Sequence, residues 1–394
     1  MTHFHIATEE EIRAGKVTDV YFLRTNEILS KKGINRRVAM EVFLKKFPNT
    51  YDWGVYAGAE EALRLLEGHP VDVWSLPEGT LFRENQPLMV IRGKYLDFGI
   101  FETALLGMLC QSSGCATRAA RCRLAAGDKP LVSFGARRMH PSVAPMCERA
   151  AYIGGCDGVA AVKSAEIIGR DPIGTMPHAL ILLMGDTVVA SKAFHEVIDP
   201  GINRVILIDT LQDEKFEAIR TAEALGKHLY GIRFDTPSSR RGNFRRLLEE
   251  TRWELDIRGY SHVKIFVSGG VDEHTILDLS SVADAFGVGT RITGAPVLDY
   301  ALDIVEIEEE KIAKRGKESG AKKLLRCPVC HRDCVVLLEA AEEPCRCGST
   351  MVNLMRPMIR AGQITETLPT PEEIRRSVLQ QLSWAVEGRR VWEL

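Results

Sequence analysis

No run of apolar residues in this 394-residue sequence is long enough to cross a bilayer. The start, Met1-Thr2-His3-Phe4-His5-Ile6, has neither the basic lead nor the apolar core of a secretion signal. The expectation is a cytoplasmic protein without a membrane partner. No sign of charge dominates either: 51 Lys and Arg face 53 Asp and Glu, for a net −2. Bulk attraction for nucleic acid is thereby excluded, whereas a local basic pocket for a small anion is not. Low-complexity tracts are lacking. So is a disulfide framework: of ten cysteines, five fall between Cys327 and Cys347 and the rest are scattered in apolar settings such as Leu109-Cys110 and Gly155-Cys156.

What remains is an ordinary globular composition, 45% hydrophobic and 26% charged, on a chain long enough for two or three domains. Between about residues 200 and 290 one pattern recurs, a short β-branched run, a polar or glycine-rich turn, then an amphipathic helix. Val205-Ile206-Leu207-Ile208 leads to Asp209-Thr210 and a helix over Glu214 to Leu225. Leu229 to Phe234 leads to Asp235-Thr236-Pro237 and a helix beginning near Ser239. Val263 to Val267 leads to Ser268-Gly269-Gly270 and a helix from Asp272 to Val282, after which Ala285-Phe286 enters Gly287-Val288-Gly289-Thr290. Such an array predicts a parallel sheet whose carboxyl ends gather Asp209, Asp235 and both glycine turns at one mouth.

Residues 1–120 read as an N-terminal α+β domain and the strand-loop-helix repeat within 121–305 as a parallel α/β segment, an α/β architecture overall. Residues 306–394 supply a charge-rich connector from Ile307 to Lys323, a cysteine segment and an amphipathic helix near Pro371 to Val386, expected to pack on the first domain.

At Asp19-Val20-Tyr21-Phe22-Leu23-Arg24-Thr25, Ser133-Phe134-Gly135-Ala136-Arg137-Arg138, Gly174-Thr175-Met176-Pro177-His178 and the strand ends above, the chain resembles the nicotinate phosphoribosyltransferases, particularly their compact archaeal-type branch. The resemblance implies that residues 121–305 form an irregular, incomplete (β/α) barrel beside the N-terminal α+β domain. It also implies transfer of ribose 5-phosphate from phosphoribosyl pyrophosphate to nicotinate, giving nicotinate mononucleotide and pyrophosphate in NAD salvage.

Positive charge grows on the ribose as pyrophosphate leaves, so this chemistry needs anion holders, hydroxyl acceptors and a ring clamp. Backbone N–H groups at Ser268, Gly269, Gly270, Gly287, Gly289 and Thr290 suit the 5-phosphate. Asp209 and Asp235 suit the ribose hydroxyls, while Phe134 with Arg137 suits a flat aromatic acid. Arg233 shares a strand face with Asp235 and is placed to meet a phosphate, with Arg240 and Arg241 as further candidates at a helix start.

By resemblance, Tyr21 covers the second ring face in a neighbouring subunit, making a homo-oligomer with a shared site. His178 is then phosphorylated by ATP, the co-substrate, and Mg²⁺ arrives with pyrophosphate. Asp157, in the turn Gly154-Gly155-Cys156-Asp157-Gly158, keeps nicotinamide open as a substrate, while the doubled Arg137-Arg138 favours an acid. Quinolinate, with two carboxylates, asks for a denser cluster of cations than the sequence displays.

Cys327-Pro328-Val329-Cys330 and Cys345-Arg346-Cys347 pair as the halves of a zinc knuckle, with Cys334 and His331 as alternates. Four thiolates leave no open coordination position, which predicts a structural Zn²⁺. A zinc-ribbon nucleic-acid-binding protein is the competing class, but Arg326, Arg332 and Arg346 are offset by Glu339, Glu342 and Glu343. A sugar-phosphate aldolase or isomerase would share the glycine turns, yet Lys264 is the only lysine within these strands.

Overall fold

The computed structural model describes residues 4–48, 51–342 and 344–385. Val386, the expected end of the last helix, and Glu343 of the cysteine segment lie outside the described residues. The chain divides into two compact units, with boundaries at Thr117/Arg118 and Ala295/Pro296.

The first unit is built on an antiparallel sheet of seven strands, in the order Glu310–Lys311, Tyr300–Ile307, Arg37–Leu44, Pro87–Lys94, Asp72–Ser75, Arg356–Arg360 and Gln363–Ile364. Every residue of Arg37–Leu44 after the first is buried, so this strand is covered on both faces and reads as a continuous apolar run rather than an alternating one. Tyr300–Ile307 pairs along its length, from Leu44 opposite Tyr300 to Val38 opposite Ile307. Residues 296–305, expected in the barrel segment, thus lie in the first unit, because the strand finds its hydrogen-bond partner there.

The charge-rich connector is pinned rather than loose. Glu41 is buried in the middle of the sheet, accepts a hydrogen bond from the Lys322 amide at 3.0 Å and pairs with Lys322 Nζ at 3.2 Å. Burial pushes the Glu41 carboxyl above its ordinary range, against the pull of Lys322.

A three-stranded sheet follows, with Lys322–Arg326 between Asp333–Leu337 and Val352–Asn353. Helix Pro371–Ala385 is fastened to the same unit: Gln381 accepts from the Leu81 amide at 2.9 Å and donates to the Gly79 carbonyl at 2.9 Å.

In the second unit six parallel strands lie in the order Gly158–Val159, Leu131–Ser133, Ala285–Val288, Lys264–Val267, Gly231–Phe234 and Val205–Leu207. The parallel order is what the strand-loop-helix repeat predicts, and the open half-barrel is what the family resemblance implies. The strands are nearly all buried, as parallel strands covered by helices must be. Helix Glu214–Leu225 starts at Asp213, whose carboxylate accepts from the Lys215 and Phe216 amides. The helix after Asp235 begins later than the sequence suggests. It runs Phe244–Ile257 with Asn243 as its cap, because Pro237 to Arg240 forms a separate turn closed by the Arg240 amide on the Pro237 carbonyl. Likewise, Glu273–Leu279 is shorter than the expected stretch to Val282.

Candidate active site

All six strands of the second unit point the same way, so the turns at their carboxyl ends share one mouth. Asp209 and Thr210 follow Val205–Leu207, and Asp235 follows Gly231–Phe234. Ser268 to Gly270 follow Lys264–Val267, Gly289 and Thr290 follow Ala285–Val288, and Phe134 follows Leu131–Ser133.

His178 joins these turns from the first position of helix His178–Met184. Its Nε2 lies 3.8 Å from Asp209 Oδ2 and 3.7 Å from Asp235 Oδ2, while Nδ1 sits 3.0 Å from Thr210 Oγ1. The imidazole is 41% exposed, open to a ligand, whereas the Asp209 side chain beneath it is only 1% exposed. Burial raises the Asp209 carboxyl above the usual range, offset by His178 and reinforced by Asp235. Among the described residues Asp209 Oδ1 is buried without a hydrogen-bond partner, which leaves it an open acceptor at the mouth.

Arg233 lies 3.9 Å from Asp235 Oδ2, donates to Thr175 Oγ1 and stands over the Phe134 ring at 5.8 Å. Burial lowers its pKa, countered by Asp235 and Asp209, and the neighbouring Arg137 charge lowers it further. Arg137 and Arg138 sit exposed on the short turn Ala136–Arg138. The structure therefore brings together His178, Asp209, Asp235, Arg233, Phe134 and Ser268, with Arg137 close enough to act on them.

The two glycine turns differ in kind. Gly269 and Gly270 have φ of +78° and +65°, a conformation side chains avoid, and a methyl on Gly269 would lie 2.6 Å from Asp235 Oδ1. Ser268 Oγ donates to that same carboxylate oxygen at 2.9 Å. Gly287, expected in an anion-holding turn, is instead inside the strand and buried. A methyl there would come within 2.3 Å of the Phe134 ring, so Gly287 makes room for the aromatic face while Gly289 and Thr290 form the actual turn.

One expected substrate contact is lost, one exclusion gains its geometry and one residue enters the site. Asp157 precedes its strand, at the amino end of the sheet, where it pairs with Arg123 at 2.6 Å and accepts from the Leu131 amide at 2.8 Å. It fastens the sheet far from the mouth, which removes the reason for considering an amide substrate. Lys264 opens its strand at the same amino end and faces Asp284 at 3.6 Å, so it cannot serve as a Schiff-base lysine at the mouth. Thr210, which sequence reasoning passed over, turns out to orient the histidine; its position directly after an acidic strand end was the available signal.

Tyr21 belongs to the first unit, on helix Val20–Lys31, where it is 55% exposed. In that unit Cys327, Cys330, Cys345 and Cys347 hold their sulfurs within 4.8 Å of one another. Cys327 and Cys347 approach to 3.5 Å, and Cys330 and Cys345 to 3.4 Å. Tetrahedral zinc with bonds of about 2.3 Å requires sulfurs about 3.8 Å apart, so the donor set fits. Cys334, on the strand Asp333–Leu337, stands outside the four-sulfur group, and the His331 ring is stacked on Trp384 at 4.2 Å.

The family models described as the N-terminal and C-terminal domains of quinolinate phosphoribosyl transferase match residues 19–113 and 115–303. A nicotinate phosphoribosyltransferase of Bacillus subtilis is 30% identical over 332 residues, 74% of this chain and 67% of its own. A solved structure described as nicotinate-nucleotide pyrophosphorylase from Pyrococcus furiosus is 53% identical, with a TM-score of 0.96 over 98% of this chain and 99% of its own. Human nicotinic acid phosphoribosyltransferase shares the fold at 20% identity, with a TM-score of 0.77 over 95% of each chain.

Proposed function

The chain belongs to the nicotinate phosphoribosyltransferase family, and from that premise we propose that it forms nicotinate mononucleotide and pyrophosphate from nicotinate and phosphoribosyl pyrophosphate in NAD salvage. The observation that carries this reading is the convergence of Asp209, Asp235 and His178 beside the Ser268–Gly270 turn. As the C1–pyrophosphate bond lengthens, the ribose gains oxocarbenium character and its hydroxyls become better donors. Asp209, with one buried oxygen that has no partner among the described residues, accepts from them, and the negative pair stabilises the cation. The amides of the glycine turns hold the 5-phosphate. Nicotinate lies on Phe134 with its carboxylate toward Arg137, leaving its ring nitrogen to attack C1. Pyrophosphate brings Mg²⁺, for which Asp209 and Asp235 are the carboxylates at hand.

A pyrophosphate-release assay with three acids and amides in parallel tests the substrate. Release is expected with nicotinate, and not with nicotinamide or quinolinate. Release with quinolinate alone would transfer the chain to a decarboxylating chemistry and overturn the reading.

ATP coupling through His178 belongs to the same proposal. The ring is accessible, and the Thr210 hydroxyl holds Nδ1, so one nitrogen is presented in a fixed orientation. Incubation with γ-labelled ATP is expected to leave acid-labile, base-stable phosphate on the protein and none on His178→Ala. An unlabelled wild-type enzyme that still turns over would show an uncoupled reaction. Two further parts of the proposal are a subunit interface through which the exposed Tyr21 covers the nicotinate ring of a second copy, and a structural Zn²⁺ at the four cysteines.

A further inference from the structure

Arg241 sits in the turn after Asp235, where the sequence suggests only a solvent-facing charge or a phosphate ligand. Its guanidinium is turned inward. Nε donates to the Thr236 carbonyl at 2.7 Å, and one terminal nitrogen donates to the Ser268 carbonyl at 3.2 Å and to the Gly269 carbonyl. The guanidinium also lies over the Phe244 ring at 4.6 Å, which fixes its plane. One side chain thus spans two successive strand ends.

The consequence follows from the geometry of a trans peptide, whose C=O and N–H point in opposite directions. The Ser268 carbonyl shares its peptide with the Gly269 amide, and the Gly269 carbonyl shares its peptide with the Gly270 amide. Drawing both carbonyls onto one guanidinium turns both N–H groups to the other side. Among the described residues neither N–H has a protein acceptor. The positive φ of Gly269 and Gly270 lets consecutive peptides take this arrangement, and the Ser268 hydroxyl on Asp235 locks the turn from its other edge.

We propose that Arg241 is a positioning residue that aims the amides of the Ser268–Gly270 turn and so sets the affinity for the ribose 5-phosphate end of the substrate. The inference rests on the reading of this turn as a phosphate cradle. It assigns Arg241 the aiming of the turn rather than a contact with pyrophosphate: three of its five N–H groups, those of Nε and one terminal nitrogen, are held by carbonyls.

Calorimetry on the full chain, with ribose 5-phosphate and pyrophosphate as separate probes, tests it. Both Arg241→Ala and Arg241→Lys are expected to weaken ribose 5-phosphate at least about tenfold, since an ammonium cannot span three carbonyls. Pyrophosphate affinity should stay at the wild-type value. In turnover the KM for phosphoribosyl pyrophosphate should rise while kcat and the KM for nicotinate hold. Methylguanidinium added to Arg241→Ala should restore ribose 5-phosphate binding, which a collapsed fold would not allow. Wild-type affinity in Arg241→Lys, or loss confined to pyrophosphate, would show a simple charge contact and overturn the inference. Wild-type protein that binds no ribose 5-phosphate would instead remove the phosphate reading itself.

Discussion

Asp209→Asn is expected to give a protein that is almost inactive and yet more stable. The carboxylate is buried beneath His178, has an oxygen without a partner among the described residues, and titrates above the ordinary range because burial penalises its charge. A folded-state pKa raised above the unfolded one means that the stability tied to this proton is complete below about pH 3.9. That stability is lost as pH rises through the raised value. At neutral pH the fold therefore carries an uncompensated part of a buried charge, offset only partly by His178 and Arg233. The amide removes it at nearly the same volume, for a gain on the order of 1 kcal/mol, or about 2–4 °C in Tm. The same change removes an acceptor from the developing cation and should lower kcat on the order of 10²–10³-fold. Scanning calorimetry at pH 7 and again at acidic pH checks the argument. The Tm advantage should shrink on acidification, and a Tm loss equal at both values would refute it.

The second large effect concerns the four cysteines. Cys327→Ser or Cys345→Ser should abolish binding of one Zn²⁺ per chain and destabilise the first unit by several kcal/mol, because metal binding to a folded site is itself folding free energy. Both residues are buried, and the segment they hold also carries Arg326, whose guanidinium pairs with Asp333 at 2.6 Å and reaches the Leu81 carbonyl at 2.7 Å. Cys334→Ser should keep the metal, since Cys334 stands outside the four-sulfur group. Metal analysis with thermal unfolding separates the cases. Trp384 fluorescence gives an independent signal, as its stacking partner His331 lies next to Cys330. Full metal retention in Cys327→Ser would rule out the tetrathiolate.

Much of the second unit was legible because its signals are local. Short β-branched runs ending in Asp or Gly marked the strands and their ends, and the amphipathic stretch after Asp209-Thr210 marked the helix Glu214–Leu225. The cysteine pairs were legible for the same reason, since chelate spacing is short-range. What escaped depends on distant neighbours. Whether Gly287 lies in a turn or under a ring is decided by Phe134, and whether Asp157 reads a substrate or anchors a strand is decided by Arg123. Tyr300–Ile307 could not be assigned to the first sheet without knowing that Arg37–Leu44 lacked a partner on that side.

That last pairing has a consequence for biosynthesis. Arg37–Leu44, an interior strand of the first sheet, is made early, but the strand that covers its edge lies roughly 260 residues downstream, beyond the second unit. At ribosomal rates of about 5–20 residues per second, the apolar strand Arg37–Leu44 waits roughly 13–50 s for that neighbour. During this interval it offers an unpaired edge, which is the form in which a nascent chain meets either a chaperone or another copy of itself.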